Sequence, residues 1–231
     1  MKRLVTVSDA MPLKTLEDKI GHQFKNPALL NEAVTHSSTG EESNYERLEF
    51  LGDRVVGLVI AEQLYARFPD EPEGHMAKRL AALVQGEMLA SIAQEMDLGA
   101  YINFSDAEEA AGGAQNDNIL ADVFESIIGA LYLDAGYEAC QTVLLKLYDG
   151  RFDQMKAPPQ HPKTSLQEWA QGQSFALPEY EITAQDGPDH APEFEITLSV
   201  EGYPPMSARG RSRQQAEKEV ALKFLESHVT S

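Results

Sequence analysis

Two short acidic stretches carry the strongest chemical signal in the chain. The first is Glu46-Arg47-Leu48-Glu49-Phe50-Leu51-Gly52-Asp53-Arg54. On a helix, at about 100° per residue, Glu46, Glu49 and Asp53 fall within about 60° of one another and line one face. Leu48, Leu51 and Val55 line another, at positions suited to a core stripe. The second is the pair Asp122 and Glu125, i, i+3 neighbours in the otherwise apolar run from Asn118 to Ala130. Carboxylates inside so hydrophobic a run face the interior, where they are costly unless paired or bound to a cation. No Lys or Arg lies within a turn of them. Hard oxygen ligands select Mg²⁺ or Mn²⁺ over zinc. Such an ion can activate water and stabilise charge on a phosphate, which points to phosphodiester hydrolysis. Spacing alone leaves a second reading open: a solvated acidic face, with Glu46 and Glu49 paired to Arg47 or Arg54 across a turn.

The elements that must position these acids are helical from about Leu13 to Tyr148, where apolar residues recur at spacings of three and four. Asn26 and Pro27 open a helix running to about Val34. Ser43 or Asn44 caps a long helix that reaches Phe68 and is ended by Pro69. Further helices are expected from about Met76 to Met96, Asn118 to Leu133 and Glu138 to Tyr148. Gly150 to His161, with Pro158-Pro159, reads as a linker. Beyond Pro162 the pattern changes to a short helix (Thr164 to Gln171) and three strands (Glu179 to Asp186, Glu193 to Val200, Pro205 to Arg209). A last helix, Arg213 to Glu226, is capped by Ser212. An α-β-β-β-α order in about 70 residues makes a complete small domain.

Bulk properties bound the reading. With 231 residues and 42% hydrophobic composition, one or two domains can each bury a core. The longest apolar stretch, Val55 to Ala61, is far short of the roughly 20 residues a bilayer span needs. The N-terminus starts basic and turns polar before a signal-peptide core could form, so a soluble cytoplasmic protein is expected, with no membrane partner. Cys140 is the only cysteine, which excludes an intrachain disulfide and a cysteine-rich zinc site; its helical context suggests a buried thiol. The net charge of −18 runs against the basic footprint of a nucleic-acid binder. It is compatible with RNA binding only if acid holds metal and base is concentrated elsewhere.

The string Glu46 to Asp53 resembles the signature of the ribonuclease III family. Thr35-His36-Ser37-Ser38 is similar to the family's preceding box. Glu73-Gly74 with Met76 and Leu83-Val84 is similar to the next, and Ile119-Leu120-Ala121-Asp122 with Glu125 and Gly129 to the last. The resemblance covers about residues 13 to 150. It implies an all-α catalytic domain (12–148) of the ribonuclease III endonuclease fold, and a linker (149–161). The family acids that match Glu49, Asp122 and Glu125 hold the metal, Mg²⁺ with Mn²⁺ able to substitute. Asp53 and Glu125 are implied as catalytic, Asp53 as an inner acid of the same cluster. Glu46 and Glu73 are implied at the edge of the RNA-binding valley. The family domain is a homodimer in which the position of Phe50 plugs into the partner; plain core packing is the alternative for Phe50. Two departures bear on RNA contacts: Arg54 stands where a small polar residue is commoner, and Gln115-Asn116-Asp117 where basic residues often stand.

Residues 162–230 resemble the double-stranded-RNA-binding domain, a small α+β fold. The match runs through Pro162-Lys163-Thr164, Leu166-Gln167-Glu168, Pro178-Glu179-Tyr180, His190 with Phe194, and Gly210-Arg211-Ser212-Arg213 with Ala216-Glu217. From Lys156 onward there are 7 basic and 11 acidic residues, so RNA affinity must come from local placement. Arg209, Arg211, Arg213 and Lys218 are expected to cluster at the start of the last helix, where its dipole also attracts phosphate. By resemblance, Gln167 and Glu168 meet one minor groove and His190 the next, with Arg211 and Arg213 on the intervening phosphates. Gln214, where a second basic residue is usual, implies weaker affinity and a smaller salt slope. The whole implies an endoribonuclease that cleaves double-stranded RNA to 5′-phosphate and 3′-hydroxyl ends, with structured precursors such as ribosomal RNA as substrates. A catalytically silent duplex-binding protein would not need all four acids. A nucleotide phosphohydrolase would need His/Asp pairs, a spacing that His22, His36 and His75 lack.

Overall fold

The computed structural model describes residues 13–155, 157–159, 162–186 and 192–229. The chain divides into two units, Met1–Pro158 and Pro159–Ser231. In the first, helices follow one another as α1 (Leu13–Ile20), α2 (Pro27–Ala33), α3 (Glu46–Arg67), α4 (Glu73–Val84), α5 (Gly86–Glu95), α6 (Asp106–Ala110), α7 (Asp117–Ala135), α8 (Tyr137–Leu147) and α9 (Arg151–Gln154). The second holds α10 (Pro162–Gly172), strands β1 (Glu179–Asp186), β2 (Glu193–Ser199) and β3 (Met206–Gly210), and α11 (Arg213–His228).

The first unit is built around α7. Eleven of its residues are buried, among them Leu120, Val123, Phe124, Ile127, Ile128 and Leu131, so it is wrapped on nearly every side. Its start is set by Asn116, whose side chain accepts from the Asn118 N–H at 3.0 Å. Asn26 does the same for α2, which begins at Pro27 as expected. The far end of α7 is tied down by Asp134. Its carboxylate accepts from the Lys25 and Asn26 N–H groups and meets His22 Nε2 at 3.0 Å, which holds its pKa below the usual carboxylate range. Helix α3 packs along α7 through Leu48, Gly52, Val55, Val56, Val59, Ile60 and Leu64. Its first N–H is accepted by Asn44 Oδ1, the nearer of the two expected caps.

Two expectations are corrected here. The helix expected from Met76 to Met96 is two helices, broken at Gln85, whose backbone is extended (φ −68°, ψ 149°). In an unbroken helix the Leu83 carbonyl would accept from the next turn. Instead it accepts from the hydroxyl of fully buried Tyr148 at 2.9 Å, so a distant side chain satisfies a carbonyl that the break leaves free of the next turn. The stretch expected as linker is folded at its start. In α9, Phe152 is buried in the core of the first unit, with the Arg67 guanidinium 4.7 Å above its ring. Buried Arg79, paired with Glu71, donates to the Met155 carbonyl at 2.6 Å. Cys140 is buried, as read.

The second unit is a three-stranded antiparallel sheet, order β1-β2-β3, with α10 and α11 packed on it. The alternation seen in the sequence fixes the register: Ile196 pairs with Ile182 and Ala208, and Leu198 with Tyr180 and Met206. Ile196 and Leu198 point into a core with Leu166, Ala216, Val220 and Phe224. Gly210 is required where β3 meets α11, because a Cβ there would stand 2.6 Å from the Ala216 nitrogen.

Candidate active site and duplex-binding surface

Glu49 lies in the first turn of α3, and Asp122 and Glu125 lie in the first half of α7. The crossing of these two helices brings the acids together, and two glycines allow the crossing. A Cβ on Gly52 would stand 1.8 Å from the Glu125 carbonyl oxygen, and one on Gly129 would stand 2.2 Å from the Leu48 carbonyl oxygen. The backbones therefore touch beside Glu49 and at Glu125. Any side chain at either glycine would force the helices apart. With the helices in contact, one carboxylate oxygen from each of Glu49, Asp122 and Glu125 lies within 4.8 Å of the others.

Partial burial raises the pKa of all three acids, and nearby like charge adds to the rise at Glu49 and Glu125. Glu125 is pushed up to about 7, first by desolvation and then by Glu49 and Asp122, with Arg54 pulling the other way. Glu49 is raised by desolvation, Asp122 and Glu46. Asp122 is raised by desolvation, and His36 opposes the rise. The Tyr45 hydroxyl beside them is raised too, first by burial and then by the charges of Asp122, Glu49 and Glu46. The donor set is oxygen only, anionic and underneutralised by protein cations. Such a set fits a hard divalent cation, and a zinc site would normally include nitrogen or sulfur.

The remaining site residues fall into place unevenly. Asp53, one turn along α3, pairs with Arg54 and stands outside the group of three. Glu46 is exposed one turn before Glu49, close enough for its charge to act on it. Glu73 opens α4 beside Ala61 and Tyr65. That places it about 18 Å along α3 from Glu49, so one chain does not bring it to the three acids. Phe50 is not a core residue of this chain: it is 67% exposed. It borders a concavity of about 630 Å³ shared with Leu29, Leu48, Leu51 and Leu133. The sequence reading assigned no role to Gly52, Gly129, His36 or Tyr45. The signal available was their place inside or beside the signature strings.

In the second unit Gln167 and Glu168 are neighbouring exposed residues on α10. His190 lies outside the described residues. The expected cluster of four cations at the start of α11 is reduced. Arg209 lies on the open face of the sheet, bound to Glu193 at 3.1 Å and Glu195 at 3.0 Å. Arg213 turns along α11 to Glu217 at 2.8 Å, and Lys163 pairs with the same carboxylate. Among the described residues, Arg211 and Lys218 are exposed with no carboxylate partner. Arg211 sits just before the Ser212 cap, whose hydroxyl accepts from the Gln215 N–H.

Known proteins match both units. Residues 26–150 fit the family model described as Ribonuclease-III-like, and residues 162–228 fit the Double-stranded RNA binding motif. The chain is 44% identical over 230 residues to a Ribonuclease 3 of Caulobacter vibrioides, covering 97% of each. It is 44% identical over 218 residues to that of Methylocella silvestris, covering 94% of this chain and 92% of the relative. The solved nuclease domain of ribonuclease III from Campylobacter jejuni superposes with a TM-score of 0.60 at 42% identity, covering 62% of this chain and 99% of that one. A helical nuclease unit with a convergent acid site, followed by a duplex-binding unit, defines a metal-dependent endonuclease of double-stranded RNA. The chain belongs to the ribonuclease III family. Among the described residues, no helix is long and apolar enough to cross a membrane.

Proposed function

We propose that Glu49, Asp122 and Glu125 hold Mg²⁺, with Mn²⁺ able to replace it, and that the site hydrolyses both strands of RNA duplexes to 5′-phosphate and 3′-hydroxyl ends. The observation that carries this is the meeting of three carboxylates from two helices within 4.8 Å, with one of them pushed up to about 7. Their mutual repulsion is relieved by a divalent cation, and the rigid α3–α7 crossing keeps them in place for it. When bound, the ion supplies charge neutralisation at the phosphate and activation of water. Glu125 is the least replaceable of the three, because it is the most perturbed and sits at the backbone contact with Gly52. Asp53 is the supporting acid one turn away. In this role it orients water and would exchange its Arg54 contact for the substrate-bound arrangement.

The working form is a homodimer. Exposed Phe50 is the plug into the second copy, and the concavity beside it is the matching socket. The Campylobacter nuclease domain is itself described as having a region involved in dimer formation. Glu46 and Glu73 border the valley in which RNA lies. In the second unit Gln167 and Glu168 face one minor groove, His190 the next, and Arg211 and Arg213 the phosphates between. Substrates are structured precursors, ribosomal RNA among them, met in the cytoplasm. The test is a labelled RNA duplex incubated with and without Mg²⁺ and resolved by strand length. Wild type cleaves only with Mg²⁺. Glu125→Gln binds duplex but leaves it intact, and unchanged cleavage by that variant would refute the site assignment.

A further inference from the structure

Two cations and one acid meet where the two helices of the second unit begin. Glu217 lies just past the first turn of α11 and is 6% exposed. Each of its oxygens is taken by a different helix. Arg213, four residues earlier on α11, donates from Nε to Oε1 at 2.8 Å. Lys163, in the first turn of α10, donates from Nζ to Oε2. A buried carboxylate is costly without a cation, and one cation would neutralise it. Here there are two, so the three side chains together carry one surplus positive charge. At Arg209 the balance is reversed, since one cation there serves two carboxylates. The surplus is held at the surface. Arg213 is committed through Nε alone, its side chain is 61% exposed, and neither of its NH₂ groups bonds to another described residue. Lys163 is steadied by the Tyr180 ring, whose centroid is 4.6 Å from Nζ. It also lines a concavity of about 210 Å³ with Gln167, Leu177, Pro178 and Tyr180. Gln167 stands one turn after Lys163 on the same face of α10. Lys163 therefore adjoins both the groove contact proposed for Gln167 and the phosphate contact proposed for Arg213.

We propose that Lys163, Arg213 and Glu217 act as one phosphate-binding unit: Lys163 and Arg213 grip the same RNA phosphate from α10 and α11, and buried Glu217 holds both from behind as a positioning residue. A carboxylate behind the two cations orders them before RNA arrives, so less side-chain freedom is lost on binding. Their remaining donors make charge-assisted hydrogen bonds to the phosphate oxygens. The surplus is a single charge, so removing either cation leaves a neutral pair and abolishes the grip. The inference rests on the phosphate role given to Arg213 above; it adds Lys163 as a binding residue and Glu217 as the group that positions both.

The measurement is binding of the full chain to a labelled RNA duplex in EDTA over a range of KCl concentrations, with urea unfolding to check that each variant is folded. Lys163→Gln and Arg213→Gln should each reduce the salt slope by about one. Changing Lys163, Arg213 and Glu217 to Gln together leaves no buried charge unpaired, and it should also lower the slope by about one rather than two. Glu217→Gln alone removes a negative charge, yet it should weaken binding at least about fivefold, because two free side chains must then be ordered at the phosphate. The proposal is overturned if Lys163→Gln keeps the wild-type slope, if the triple variant loses about two, or if Glu217→Gln binds as tightly as wild type or more tightly. An Arg213→Gln protein with the wild-type slope would remove Arg213 itself from the phosphates, and the unit with it. NMR of unmutated protein decides the matter even if the variants fail to fold. On adding duplex, the Lys163 ammonium and Arg213 Nε–H signals should both move more than the Arg209 Nε–H signal. A Lys163 signal that stays in place would overturn the assignment.

Discussion

Replacing Glu125 with Gln should make the metal-free protein more stable at pH 8, although it removes a proposed metal ligand. In the folded chain Glu125 is raised from an ordinary 4.5 to about 7 by burial and by its two acidic neighbours. Between those values the folded state binds more protons than the unfolded one, so stability falls as pH rises through that window. Above about pH 7 the full penalty stands, on the order of 3 kcal/mol for a difference of this size. Gln carries no charge, so this penalty is absent from the variant. In EDTA the variant should therefore exceed wild type by about 1–3 kcal/mol at pH 8 and match it near pH 5. Saturating Mg²⁺ should reverse the order, because an ion at 100 times its Kd stabilises the chain that binds it by about 2.7 kcal/mol. Urea unfolding followed on the nuclease-unit transition at both pH values, with and without Mg²⁺, measures all four differences. A Glu125→Gln protein less stable than wild type in EDTA at pH 8, or a difference that ignores pH, would refute the reasoning.

Gly52→Ala should cost about 3 kcal/mol and weaken the Mg²⁺ response, since its Cβ would lie 1.8 Å from the Glu125 carbonyl oxygen. Gly57→Ala, with open space around the new methyl, should fall within about 1 kcal/mol of wild type on the stable side; urea unfolding compares the two. Phe50→Ala should lower dimer affinity in sedimentation while leaving the secondary structure intact, because the ring is exposed within one chain. Arg211→Gln should reduce the salt slope of duplex binding by about one. Arg209→Gln should leave that slope nearly unchanged, because Glu193 and Glu195 already neutralise Arg209.

What could be read in advance followed from chain-local rules. The helical period placed Glu46, Glu49 and Asp53 on one face of α3, and the apolar run around Asp122 and Glu125 marked a buried helix. Strand alternation placed Ile196 and Leu198 in the second core. What escaped depended on partners far along the chain. The carbonyl left by the break at Gln85 is met by Tyr148, and α9 is held through the Arg67–Phe152 contact. The neutralisation of Arg209 follows from β2–β3 register, which places it opposite Glu195. Phe50 reads as apolar in any pattern, so periodicity could not choose between a core residue and the outward plug the resemblance implied; packing shows that α3 turns it outward. The two glycines explain why the signature acids can meet at all, a contact between helix backbones that no periodicity encodes.

The most direct measurement is an anomalous-scattering map from crystals of this protein soaked in Mn²⁺. One peak should lie within coordinating distance of the Glu49, Asp122 and Glu125 carboxylates in wild type and disappear in Glu125→Gln. A wild-type map with no peak among those three side chains, or with its strongest peak elsewhere on the molecule, would contradict the account.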